Sequence, residues 1–305
     1  MAGLSVTSNF AGTAAGFYIS AALAQANSLD FLTMIENIKY KSNIQKMAGA
    51  SLVADATCDF TAAGTLALTE KVLEPKNLQV NVDLCKETLL SSWEALQMRA
   101  GAGAPPPASF DDYVISYMGE IIAEATEESV WKGTGAAGQF QGFLGTNGFL
   151  MPTGTNADAT VVQAAGTVAA FSAANIIENL QTAVAAIPTA VLGKEDLHIY
   201  INQKSYRYYI SAISTLGYVN AYNMNGDYLP VFEGISIAPC NGMKDNEIVV
   251  AEKSNLFFGT DLISDSTRIN LMDMAALDGS DNMRLVARYS AGVQTGVGAD
   301  IVRVS

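Results

Sequence analysis

Charge is scarce in this chain, and positive charge scarcest. Only 15% of its 305 residues are charged, with 17 Lys and Arg against 30 Asp and Glu, giving a net charge of −13. Holding duplex nucleic acid by its phosphates needs a basic footprint, so the composition argues against that activity. Histidine occurs once, at His198, which removes any chemistry that needs two imidazoles. Cysteine occurs three times, at Cys58, Cys85 and Cys240. The number is odd and the spacing wide, so neither a complete disulfide set nor a paired zinc site is expected, and a reducing, intracellular origin is. No charged side chain precedes Asp30, and the first basic residue is Lys39. A secretory signal needs a basic segment ahead of an unbroken apolar core, whereas Asn9, Gly12, Thr13, Gly16 and Ser20 interrupt this one. The same interruptions argue against a membrane span. An Ala/Gly-rich arm without a core of its own is the expectation for this segment.

What is abundant is apolar surface. Half of the residues are hydrophobic, which excludes intrinsic disorder, and the length accommodates about two domains. Leu29, Phe31, Leu32, Ile35 and Ile38 predict a short amphipathic helix. Extended runs follow on either side of a small-residue stretch at 48–64, and Leu66-Ala67-Leu68 and Leu73–Val82 resume the extended pattern, so a long hairpin is expected. A helix is predicted over Lys86–Met98, broken by the Gly/Ala/Pro run at 101–107.

The strongest pattern begins at Ser109, an N-cap candidate with Asp112 completing a capping box. Phe110, Val114, Tyr117, Met118, Ile121, Ile122 and Ala125 then form one stripe, and Gly133 supplies the stop, predicting a helix about 35 Å long. Glu120, Glu124, Glu127 and Glu128 border that stripe. Like charges spaced four apart repel by about 0.2–0.5 kcal/mol per pair. The stripe is therefore either a solvated face or a candidate contact for basic groups of a neighbouring subunit. Further on, helices are expected over Asn175–Ile187 and Gln203–Leu216. Strands are expected at Leu197–Ile201, Ile235–Ile237, Ile248–Ala251 and Leu256–Gly259. Long β runs over Arg268–Ala276, Met283–Tyr289 and Gly292–Val304 close the chain, with an Asp278-Gly279 turn between the first two.

Catalytic patterns are missing. Gly133-Thr134-Gly135-Ala136-Ala137-Gly138 matches G-x-G-x-x-G, but it follows a helix instead of a strand, so a helix cap and a flexible loop are expected. No G-x-S-x-G occurs, and the Asp278–Asp281 cluster lacks the ligand spacing of a calcium loop. His198 in Leu197-His198-Ile199-Tyr200-Ile201 reads as a strand residue beside a core. No catalytic, cofactor-binding or metal-ligating residue is expected, and the chain is not read as an enzyme.

The segments Val231–Ile237, Asp245–Ala251 and Ser254–Leu262, with the helix Asp111–Lys132 and Gly142-Phe143-Leu144, resemble tailed-bacteriophage major capsid proteins of the Hong Kong 97-like fold. The resemblance implies an α+β fold in four parts. These are an N-terminal arm at 1–28, a short helix and E-loop hairpin at 29–81, a peripheral domain at 82–152 and 264–305 containing a long spine helix and a β sheet, and an axial α/β domain at 153–263. It implies a structural protein that self-assembles as pentamers and hexamers into an icosahedral head enclosing double-stranded DNA without binding it specifically. The virion is the implied location, after assembly in the host cytoplasm. The implied partners are other copies, a separate scaffolding protein, a portal and decoration proteins, with no membrane. Some family members crosslink Lys to Asn. Lys41, Lys46, Lys71 and Lys76 lie in the hairpin region and Asn270 and Asn282 in the return segment, with no local motif selecting a pair. An encapsulin-like shell around a protein cargo, an α/β enzyme and another virion component remain open as other readings.

Overall fold

A computed structural model describes residues 27–50, 64–85, 108–166, 170–215, 231–261, 269–275 and 282–305, with isolated positions between them. Residues 1–26, the helix expected at 86–98 and the breaker at 101–107 lie outside the described residues.

The polar turn Ser28–Phe31 is a single 3-10 turn, followed by β1 (Thr33–Ile35). The amphipathic helix expected at Leu29–Ile38 therefore does not form. β1 pairs in parallel with the strand Leu256–Thr260 far along the chain, a tertiary contact that local periodicity does not encode. Next come β2 (Ser42–Ala50) and β3 (Thr65–Leu73), antiparallel along their whole length, and then β4 (Lys76–Cys85), which starts directly after Pro75 because proline cannot donate to a ladder. Helix α1 (Ala108–Lys132) has 25 residues and starts one residue ahead of the expected cap, Ser109.

Two sheets form the body. In the five-stranded sheet, the 14-residue β12 (Asn282–Thr295) pairs antiparallel with β4, β11 (Ile269–Asp273) and β10 (Leu256–Thr260), and β1 extends it beyond β10. The six-stranded sheet has the order β5 (Val162–Ala164), β13 (Val302–Val304), β9 (Ile248–Glu252), β6 (Leu197–Asn202), β8 (Ile235–Cys240), β7 (Val231–Phe232). Helices α2 (Ile176–Ala185) and α3 (Gln203–Thr215) share a core with Ile199, Ile201, Ile237, Ile248, Val250, Val302 and Val304. The alternate residues Tyr200, Ala238, Cys240, Val249 and Ala251 join a second core with Val130, Trp131, Phe143, Phe258 and Val293. Burial on both faces explains why Leu197–Ile201 and Ile248–Ala251 are almost continuously apolar.

The two sheets do not follow the expected division at 153–263. β10 falls inside that range but belongs to the five-stranded sheet, and β13, expected with 264–305, lies in the six-stranded sheet between β5 and β9. The chain crosses between the sheets at Gly296–Gly298. There, Asn255 accepts the Val297 N–H at 2.6 Å, and a Cβ on Gly298 would meet Asp158 Oδ2 at 2.2 Å.

Candidate functional site

The acidic stripe divides in two. Glu120 and Glu128 are exposed and Glu124 is half-buried, and Glu128 pairs with Lys132 at 3.5 Å. Glu127 is 1% exposed. It is therefore corrected from a candidate contact with a neighbour to an interior group of its own subunit. Its Oε2 accepts the Ser28 N–H at 3.1 Å, and its Oε1 accepts the Ser28 hydroxyl and the Gly242 N–H at 3.1 Å. Trp131 Nε1 donates to Ser28 Oγ at 2.7 Å. No Lys or Arg pairs with Glu127 among the described residues, so three donors hold the buried carboxylate. Ser28, the last residue of the expected arm, is itself fully buried. A signal for Glu127 was present: it precedes Trp131 by four residues, which puts it on the same helix face as the helix's largest buried side chain. The expected apolar stripe is less deeply placed. Met118, Ile121 and Ile122 are half-buried and Ala125 exposed, while the side chains of Phe110, Val114 and Tyr117 lie outside the described set.

The hairpin β2–β3 shows the opposite behaviour. Met47, Leu66 and Leu68 are 66%, 62% and 62% exposed, and Met47 lies opposite Leu68 in the ladder. With Val72 at the same parity they form an apolar stripe that nothing in the described chain covers. Among the described residues, the hairpin is fixed at its base. Leu73 and Ile38 close over Gly259, where a Cβ would meet Leu73 Cδ2 at 2.7 Å and Ile38 Cδ1 at 2.8 Å. Gln294 Nε2 donates to Val72 O at 2.8 Å, and Lys71 donates to Asp158 and to Thr295 Oγ1. Burial pushes the Asp158 carboxyl up, but donation from Lys71 and Thr160 outweighs burial and leaves it below the usual aspartate range. A cleft of about 380 Å³ separates the hairpin's other face from the segment 296–298.

Three of the four hairpin-region lysines are already engaged. Lys41 pairs with Glu74 at 2.9 Å, Lys71 with Asp158, and Lys76 donates to the carbonyls of Gly135, Ala136 and Gln139 at 2.8, 2.7 and 2.9 Å. Lys46 is exposed on β2. The Lys76 contacts also settle the glycine motif. Thr134 bridges to Gln141, Gly135 and Gly138 take φ of 75° and 80°, and the loop turns carbonyls toward a cation, the reverse of a phosphate cradle. The flexible loop expected there is a bridged turn. Gly133 is needed because a Cβ would meet Phe140 O at 2.2 Å, not for a left-handed φ.

His198 is a half-buried strand residue, its Nδ1 2.8 Å from Asp196 O. Among the described residues, no His, Cys, Asp or Glu cluster could hold a metal ion, and no helix is long and apolar enough to cross a membrane. Cys58 and Cys85 are exposed and Cys240 is fully buried, with no disulfide among them. Burial pushes the Cys240 thiol well up.

No protein-family model and no curated protein matches the sequence. Solved structures do match. The chain is similar to the capsid of cyanophage A-1(L), with 11% identity, TM-score 0.62, and coverage of 97% of this chain and 96% of that one. It is similar to the capsid of Myoviridae phage XM1, with 10% identity, TM-score 0.60, and coverage of 100% and 99%. A native GTA particle capsid matches at 14% identity and TM-score 0.60, over 94% and 92%. The chain has the α+β Hong Kong 97-like capsid fold.

Proposed function

We propose that the protein is the shell subunit of a tailed-phage head, assembling as pentamers and hexamers into an icosahedral capsid around double-stranded DNA. Fold alone does not give function. The observation that carries the reading is the β2–β3 hairpin, whose Met47, Leu66 and Leu68 find no partner within the described subunit. Apolar side chains in a row on a projecting hairpin are stabilised by burial against another chain, and in a closed symmetric assembly each copy supplies that partner.

In this reading β2–β3 is the E-loop and α1 the spine helix. α1 with the five-stranded sheet forms the peripheral domain, and the six-stranded sheet with α2 and α3 forms the axial domain. Glu120, Glu124 and Glu128 face basic groups of a neighbour. The excess of acid keeps the inner wall from binding DNA tightly, so the genome is enclosed without specific contacts. The solved capsids it resembles include those of phages, which supports a genome-enclosing head in a virion over a shell for protein cargo. Assembly takes place in the host cytoplasm, guided by a separate scaffolding protein and a portal, and decoration proteins bind afterwards.

The test is expression alone and with the neighbouring scaffolding gene, followed by sedimentation and electron microscopy. Closed shells or rings are expected. A monodisperse monomer under both conditions would overturn the reading.

A further inference from the structure

Residues 27–33 are stitched across the molecule by contacts from four elements. Asn27 Nδ2 donates to Pro239 O, and Asn27 Oδ1 accepts the Asn241 N–H at 3.2 Å. Ser28 meets Glu127 and Trp131 on α1. Lys253 Nζ donates to Asp30 O at 2.8 Å, Tyr200 on β6 donates to Phe31 O at 2.8 Å, and Thr33 Oγ1 donates to Lys253 O at 2.8 Å. Leu32 is buried in the shared core, and β1 then enters the five-stranded sheet. This short segment is a strap that passes from the end of β8 in one sheet into the other.

Most of these stitches are single bonds to backbone carbonyls, which water can replace when the strap lifts. Glu127 is different. Its side chain collects both Ser28 donors and the Gly242 N–H at a buried position, so lifting the strap breaks two of its three hydrogen bonds at once. The loop carrying Gly242 is pressed directly on the helix, where a Cβ would meet Glu127 O at 2.1 Å. Beneath lie Trp131, stacked obliquely 5.7 Å from Tyr200, and the fully buried Cys240. The apolar contacts around them are non-directional, so the charged hydrogen bonds supply the direction.

We propose that Glu127 is a positioning residue for assembly. It clasps Ser28 and Gly242, and the seated strap is the assembly-competent form of the subunit. Release at Glu127 lets 27–32 lift as a unit while both sheets stay folded. The assembly half of this proposal rests on the shell reading, whereas the clasp itself does not.

The experiment follows thiol labelling of the full chain by maleimide, with each cysteine located by peptide mass. In wild type Cys58 and Cys85 label and Cys240 does not. Glu127→Ala should raise the Cys240 labelling rate by about ten- to a hundredfold, the opening expected when buried donors are orphaned. The rate should be nearly independent of low denaturant, the mark of local opening, and assembled yield should fall in parallel. Ser28→Ala removes one of the three donors and should give a smaller rise in the same direction, which keeps the test alive if Glu127→Ala does not fold. Cys240 remaining protected in the folded variants, or labelling only along with global unfolding, would overturn the clasp. Folded variants with reactive Cys240 and normal shells would overturn its role in assembly. A wild type that never assembles would instead count against the shell reading, with the labelling result still deciding the clasp.

Discussion

The β2–β3 hairpin and the six-stranded sheet are both β structure rich in aliphatic residues, yet they differ in where burial happens. Every residue of β9 is buried, because β13 and β6 flank it and each face meets its own apolar core. Thr65–Glu70 of β3 is exposed at every position. β3 mixes polar residues with its aliphatic ones where β9 is almost continuously apolar, yet Leu66 and Leu68 would suit a core face as well as Val249 and Val250 do. The difference is the second layer, which the described residues provide for one and not for the other. In the proposed shell, stability and assembly draw on different residues.

The sharpest break of that comparison is the pair Leu66→Asp and Leu68→Asp. Assembly should be abolished, because two charges would have to be desolvated at the contact. The isolated subunit should unfold within about 0.5 kcal/mol of wild type, as expected for exposed sites. Sedimentation and a denaturant titration measure the two effects. Loss of subunit stability with assembly intact would reverse the assignment. The mirror experiment is Ile199→Ala, which empties a fully buried position on β6. It should cost about 2–5 kcal/mol in the subunit itself, with shells diminished only as far as folded protein is.

The base of the hairpin is where the two regions meet, and acid should separate them. Asp158 is held below its usual range, so the latch with Lys71 contributes stability above the unfolded aspartate value, about 3.9, and loses it as pH falls through the lower folded value. Protection from hydrogen exchange at Lys71–Leu73, taken relative to the intrinsic rate at each pH, should fall on acidification below about pH 4. In Asp158→Asn this dependence should vanish, leaving protection weaker by about 1 kcal/mol at neutral pH. An unchanged acid response in the variant would show that the latch plays no part in holding the hairpin.

Much of this architecture is legible in the sequence wherever a segment's own period matches its surroundings. α2, α3 and the strands at 197, 235, 248 and 256 lie close to where apolar spacing puts them, since each has one or two faces against a core. The failures have a common physical origin. Leu29–Ile38 has helical spacing, but parallel pairing with β10 and the bonds to Tyr200 and Lys253 outweigh a propensity term too small to hold a short helix. The destination of β13 depends on a crossing at Gly296–Gly298 that has no local pattern beyond two glycines. Among four neighbouring glutamates, the buried one was marked only by its spacing from Trp131. The exposed hairpin was readable as a hairpin, but not as an uncovered one, because exposure is a property of the whole fold.

The smallest expected effect concerns the acidic residues that remain on the surface. Glu128 has Lys132 as a partner, so removing its charge exchanges one weak term for another. Glu120 and Glu124 have no such partner among the described residues and stand four apart on α1, which makes Glu120→Gln with Glu124→Gln the cleaner probe. In the isolated subunit the double change relieves like-charge repulsion and should stabilise by a few tenths of a kcal/mol, about 0.2–0.5. In the shell it should destabilise if basic groups of a neighbour face the stripe, because those groups lose their counter-charges. Raised salt should shrink both effects, as it does for exposed charges. Denaturation curves of subunits and of shells, at low and high ionic strength, measure all three. Opposite signs would place the stripe with the hairpin among surfaces completed by another copy. Equal small shifts would place it with the solvated exterior.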